Sequence, residues 1–199
     1  EQIGLAMTIN VKINLRGITL IELMVIVAIV GILLTLAAPS FVSFQRNSEL
    51  TSLANKMLGS INSARSEAMK SGRNAFVVPN DSSNWSTGWF VYVDMNSNNS
   101  FEEGTDLFIQ TQPALVSYIA MTGNNNAAAS SPYISFDSAG YARTVGGNGL
   151  TNLALSIKRN DVSTADTPEQ SRLVIVARTG RTRACKPSTD TSCTTSASN

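Results

Sequence analysis

The chain reads as an α+β protein: one long N-terminal helix, apolar in its first half and amphipathic in its second, followed by an antiparallel β-sheet head. Three observations predict this. Residues 18–38 form an apolar run, ITLIELMVIVAIVGILLTLAA, with one charge, Glu22. From Leu50 to Ala68, apolar residues recur at steps of three and four, the spacing of one helix face. Beyond Gly72 come short β-branched and aromatic runs separated by Gly and Asn clusters, the pattern of strands and turns.

The first element is long enough for a membrane. At 1.5 Å per residue the run from Ile18 to Ala38 is about 30 Å of helix, the thickness of a hydrocarbon core. Lys12 and Arg16 precede it, so the positive-inside tendency places the N-terminus in the cytoplasm and the remainder outside. The segment exceeds a signal-peptide core and is expected to stay with the mature chain. Glu22 is the anomaly: a carboxylate within an apolar helix costs about 3 kcal/mol and normally has a partner.

Residues 39–73 continue the helix in amphipathic form. Leu50, Leu53, Met57, Ile61, Ala64 and Ala68 share one face, while Arg46, Asn47, Lys56, Arg65, Glu67 and Lys70 fall mostly off it. This stripe is expected to lie on a sheet, and the helix to end near Gly72. Strands are predicted at 74–78, 88–93, 107–111, 115–119, 134–136, 141–145, 153–158 and 172–178, from their β-branched and aromatic content. The domain plan is therefore a segment at 1–17 (the leader, on the resemblance given below), a transmembrane helix at 18–38, its amphipathic continuation at 39–73, a head at 74–186 and a flexible tail at 187–199. The Ser- and Thr-rich composition of the last dozen residues suggests that tail.

Arg16-Gly17-Ile18-Thr19-Leu20-Ile21-Glu22 resembles the type IV prepilin cleavage signature: a basic leader ending in Gly, an apolar residue, Thr-Leu-Ile-Glu and a long apolar run. The resemblance implies a pilin-like fold, cleavage after Gly17 by a prepilin peptidase and methylation of the new amine on Ile18. It implies that Glu22 pairs with the terminal amine of a neighbouring subunit, which supplies the missing partner. Ile18 departs from the Phe usual at that place but remains large and apolar. Pro39 sits where pilins commonly kink this helix. In the head, Ala64-Arg65-Ser66-Glu67-Ala68, Trp85 with Gly88-Trp89-Phe90-Val91-Tyr92-Val93-Asp94, Phe136-Asp137-Ser138-Ala139-Gly140, and Arg172 to Val176 with Gly180-Arg181 are similar to the GspH/FimT-type pseudopilins. Together these motifs span residues 16 to 186. The implied location is the inner membrane with a periplasmic head, then a pilus or pseudopilus of other pilin subunits.

Catalysis finds no footing. The chain has no His, which removes the commonest general base and metal ligand. Gly146-Gly147-Asn148-Gly149 lacks the Lys and Ser or Thr of a phosphate loop. Asp94, Asn96, Asn98 and Ser100 alternate like calcium ligands, with Glu102 and Glu103 behind them. The EF-hand pattern, however, needs Gly where Asn99 stands and Glu where Thr105 stands. Turn formers in a hairpin loop explain the same letters, so no catalytic residue, metal or cofactor is assigned.

The C-terminus carries a charge signal. Between 172 and 186 lie Arg172, Arg178, Arg181, Arg183 and Lys186 and no acid, in a chain of net charge +1. Such cations bind nucleic acid by displacing counterions from phosphates, and Arg adds bidentate geometry. Gly180 would let the backbone approach a phosphate, and Arg181 and Arg183 would share one side of an extended segment. Gly180-Arg181-Thr182-Arg183 resembles the Gly-Arg-x-Arg motif of FimT-type minor pilins, which implies capture of double-stranded DNA for uptake in natural transformation. The alternative is a solvated basic edge strand on a structural subunit that primes or caps a fibre. Three or four neutralised phosphates would give a log–log salt slope of roughly −3 to −4. Cys185 and Cys193, the two cysteines present, are able to close one small ring in an oxidising compartment, stabilising by roughly 2–3 kcal/mol.

Overall fold

A computed structural model of the chain describes residues 17–146 and 149–196, the side chains of 36–39 excepted. Contacts divide it into two compact units, Glu1–Phe44 and Gln45–Asn199. Residues 1–16 of the expected leader 1–17 lie outside the described residues, and the Pro39 side chain, where a bend was expected, outside the described side chains.

Helix α1 runs Leu20–Ser71. It starts where Thr19 caps it: the Thr19 Oγ1 accepts from the Glu22 amide at 3.3 Å, and its carbonyl takes the Leu23 amide at 3.1 Å. These are the bonds an N-cap Thr makes to free amides of a first turn. It ends at Gly72, in the left-handed region at φ 68°, where glycine carries no Cβ penalty.

The unit from Gln45 holds eight strands: β1 Ala75–Pro79, β2 Trp89–Val93, β3 Leu107–Gln112, β4 Ile119–Gly123, β5 Ile134–Phe136, β6 Leu153–Arg159, β7 Ser171–Val176 and β8 Thr182–Cys185. The expected sheet is in fact two sheets of four strands, ordered β3-β2-β1-β5 and β4-β6-β7-β8, with all pairings antiparallel. The helix stripe foreseen from its spacing is buried to the last residue: Leu50, Met57, Ile61, Ala64 and Ala68 are 0 % exposed and Leu53 6 %. It shares one core with Val77, Trp89, Val91, Ile134, Leu155, Ile157, Val174 and Val176, the inward residues of both sheets. Trp89 illustrates how a large polar-tipped ring is accommodated there, its Nε1–H donating to Ser60 Oγ at 2.9 Å, as buried Trp requires.

Three predicted boundaries change. Residues 115–118 are not strand: the Leu115 amide bonds the Ser86 carbonyl and the Ile119 amide turns back to Val116, so β4 begins at Ile119. Residues 141–145 make only isolated bridges, Ala142 with Phe136 and Arg143 with Leu150. The tail is not loose through 187–196. Cys193 is 4 % exposed and packs on Ala154, Leu173 and Ile175, the outer face of the second sheet, and Asn124 Nδ2 donates to the Thr195 carbonyl at 2.7 Å. Burial of that outer face explains why every residue of β7 is buried.

Candidate functional site

At the N-terminus, every side chain from Leu20 to Thr35 is exposed; the apolar ones include Leu20 at 76 % and Leu34 at 63 %. Among the described residues of this unit, nothing covers them. Glu22 lies in the first helical turn, and among the described residues its carboxylate has no intrachain hydrogen bond or ion pair. Gly17 and Ile18 precede the cap in open chain, Ile18 69 % exposed. No single helix among the described residues is long and apolar enough to cross a membrane; Leu20–Thr35 meets the criterion only together with Ser40–Ser71.

The C-terminal cations are gathered on β7, β8 and the hairpin between them, but in unequal states. The hairpin turns through Ala177–Gly180: the Gly180 amide donates to the Ala177 carbonyl and the Ala177 amide to the Arg181 carbonyl, both at 2.8 Å. Gly180 adopts φ 78°, the left-handed glycine of a three-residue hairpin loop. It is buried, and so does not bring the backbone up to a phosphate as the sequence suggests. An added Cβ would meet the Gly140 carbonyl oxygen at 1.9 Å; the glycine is there for the approach of another chain segment, not of a phosphate. Arg65 seals this junction, donating from Nε to the Gly140 carbonyl at 3.0 Å and from Nη2 to the Thr179 carbonyl at 3.3 Å.

Arg178 and Arg181 are exposed at this turn, and neither side chain has an intrachain partner among the described residues. The other three cations are engaged. Arg172 is 9 % exposed and donates to Asn47 Oδ1 at 2.8 Å, Thr51 Oγ1 at 3.2 Å and the Ser171 carbonyl at 2.7 Å, fixing β7 to the helix. Arg183 pairs with Asp190 at 3.3 Å and donates to the Ser192 carbonyl at 2.6 Å. Lys186 pairs with Glu169. Arg181 and Arg183 are therefore not an equivalent pair: β8 begins between them, and Arg183 stands opposite Ile175 on the face that the tail covers. The Lys186 hydrogen bond, with a smaller one from Ser188, holds the Glu169 carboxyl below its ordinary range. The side chain and amide of Ser192 do the same for Asp190, with a lesser contribution from Arg183.

Cys185 and Cys193 are bonded, sulfur to sulfur at 2.04 Å, across 8 residues of sequence. Replacing both with Ser should lower stability by about 2.5 kcal/mol by ring closure alone. It should also free Arg183, because Asp190 and Ser192 lie inside the ring; urea unfolding with and without reductant reads the first effect.

The 94–106 loop is built as turn chemistry. Asp94 is 1 % exposed and accepts the amides of Ser97 at 2.6 Å, Asn98 at 3.3 Å and Asn99 at 2.8 Å. Asp106 accepts those of Met95 and Glu102, each at 2.8 Å. No cluster of metal-binding side chains occurs among the described residues.

With this geometry in place, comparisons with known proteins give a consistent result. The family described as type II transport protein GspH matches residues 53–180, and the prokaryotic N-terminal methylation motif matches 14–38. The pilin-like protein PilA1 of Thermus thermophilus is 35 % identical over 91 residues, 46 % of this chain and 56 % of that one, so the match spans little more than half of the relative. In fold, the chain is similar to the type IV minor pilin FimU of Pseudomonas aeruginosa. One crystal form has a TM-score of 0.53 at 16 % identity, over 73 % of this chain and 94 % of that one. A second form gives 0.51 at 16 % identity, over 70 % and 94 %.

Proposed function

The chain belongs to the GspH family of type II transport proteins, and on that premise we propose that it is a minor pilin or pseudopilin built into a fibre through its N-terminal helix. One observation carries this reading: a capped helix start, apolar and exposed on all sides from Leu20 to Thr35, with Glu22 as its only charge and no partner for it among the described residues. A prepilin peptidase cuts after Gly17 and methylates Ile18. The segment 18–38 holds the subunit in the inner membrane with the head in the periplasm. Glu22 then meets the terminal amine of a neighbouring subunit, an ion pair that offsets the roughly 3 kcal/mol of placing a carboxylate in lipid. Glu22→Ala should be processed and membrane-bound normally, yet fall about tenfold in sheared fibres, as read by immunoblot. Undiminished incorporation would remove Glu22 from the assembly step.

A second reading concerns the hairpin. Its support is that Arg178 and Arg181, flanking Gly180, are exposed and unpaired among the described residues. Of the five C-terminal cations they are the two able to reach DNA phosphates without breaking another bond; Arg183 and Lys186 join only by leaving Asp190 and Glu169. The working number of phosphates falls from three or four to about two, and the expected log–log salt slope to about −2. Residues 45–199 form a compact unit that contains the whole buried core, so this unit can be titrated with double-stranded DNA in a mobility-shift series. An R178A/R181A variant should lose the shift at moderate salt. An equal shift from that variant would leave a structural subunit that touches only its neighbours.

A further inference from the structure

Strand alternation in the first sheet sends Trp89, Val91 and Val93 into the core and Phe90 and Tyr92 to the opposite face. There Phe76 stacks on Tyr92 at 5.1 Å and 13°, and Phe101, from the 94–106 loop, stands edge-on to Phe90 at 5.1 Å and to Tyr92 at 5.3 Å. These rings line a cavity of about 900 Å³, within the range of small-molecule sites at roughly 300–1,000 Å³.

Its rim is polar and neutral. Ser82, Asn99, Ser100 and Ser131 line it, and among the described residues their side chains make no intrachain hydrogen bond. Tyr92 is 2 % exposed, and among the described residues its hydroxyl also has no intrachain partner. Burial, aided by Asp94 and Asp106, raises that hydroxyl well above the ordinary tyrosine value, so it stays a neutral donor and acceptor. Among the described residues, no charged side chain lines the cavity. The loops that carry the rim are fixed in advance. Asp94 gathers the amides of residues 97–99, and Asp81 takes those of Ser83 at 3.0 Å and Asn84 at 2.7 Å.

We infer that this cavity binds a neutral carbohydrate, its sugar faces laid on the accessible Phe90, Phe101 and Phe108 rings over a floor of buried Phe76 and Tyr92, and its hydroxyls bonded to Ser82, Asn99, Ser100 and Ser131. Aromatic faces attract the C–H-lined face of a pyranose, and a ring of uncharged donors and acceptors matches its hydroxyls. Other occupants fit less well. A nucleic acid or other polyanion needs cations, whereas the surrounding loops carry Asp81, Glu102, Glu103 and Asp106. A wholly apolar ligand would bury the four rim groups and the tyrosine hydroxyl without partners, which is costly.

Isothermal titration of the 45–199 unit with two neutral tetrasaccharides, β-1,4-linked glucose and β-1,4-linked N-acetylglucosamine, tests this. At least one should bind at millimolar or better affinity. Phe101→Ala, on a partly exposed loop ring, should weaken it at least tenfold. Ser100→Ala should weaken it several-fold with an unchanged melting curve, and R178A/R181A should leave it intact. The last variant separates this inference from the DNA reading, so that either can fail alone. No binding of either tetrasaccharide at millimolar concentration, or equal binding by the Phe101 variant, overturns the inference. So does a Phe101-dependent affinity for single-stranded DNA or for an anilinonaphthalene dye that no sugar displaces.

Discussion

An alanine at position 180 should cost the head about 3 kcal/mol and lower its melting temperature by roughly 10 °C. Two effects add. At φ 78°, a Cβ alone costs about 1–2 kcal/mol. That Cβ would also lie 1.9 Å from the Gly140 carbonyl oxygen and 2.7 Å from Arg65 Nε. The carbonyl belongs to a backbone that cannot rotate aside: the Gly140 amide is bound to the Asp137 carbonyl at 2.8 Å, and Asp137 Oδ1 takes the Ala139 and Tyr141 amides at 3.0 and 2.9 Å. Gly72→Ala is the control, with φ 68° but open space around the added carbon, so it should show the conformational cost alone. Urea unfolding of the two variants gives the contrast; equal losses would mean that the contact with Gly140 carries no energy.

Freeing the two paired cations should have the opposite sign and a larger effect on DNA. In a Glu169→Gln, Asp190→Asn variant, Lys186 and Arg183 lose their carboxylates, and the number of available phosphate contacts rises from about two to about four. The salt slope should steepen from about −2 to nearly −4, which at 0.1 M salt is an affinity gain of roughly 60-fold. Acid should act in the same direction. Both carboxyls sit below their ordinary values of 4.5 and 3.8 in the folded chain, so the folded state holds fewer protons than the unfolded one there. Their contribution to stability is present above those values and is lost as pH falls through the lower folded ones. The cations are therefore released only as pH falls below the ordinary carboxylate range. A mobility-shift salt series decides: an unchanged slope in the double variant would show that neither cation faces DNA.

The sequence announced the parts whose physics is local. Leu50 to Ala68 repeat with the period of a helix, and that stripe is the core. Most strands are legible as β-branched runs, but their division into two sheets is not, because inward residues such as Val91 and Leu155 alternate identically in both. The run at 115–119 looks like strand because its letters are apolar, yet the turn at Val116 depends on Ser86, far away in sequence. The hairpin shows the same limit more sharply. Its five cations were visible, but the acids that occupy two of them lie outside the counted segment, at Glu169 and Asp190. The asparagines and Asp94 gave the loop composition without saying that Asp94 would turn inward to collect amides. The aromatic cavity was missed for a related reason: Phe76, Tyr92 and Phe101 meet only after β1, β2 and the following loop are folded together.

The order in which the strands alternate between sheets has a kinetic consequence. β4 enters the second sheet before β5 returns to close the first against β1, so neither sheet is a continuous stretch of chain. The first cannot be completed until the polypeptide has passed through the second, and the second waits for β6 and β7. Such long-range closures slow folding, and they leave no sheet able to detach as a unit of its own. The head should open in one cooperative event, its slowest-exchanging amides in β1, β2, β6 and β7 sharing a single opening free energy. A subunit drawn into a fibre under load would then keep its shape up to one threshold, rather than yield sheet by sheet.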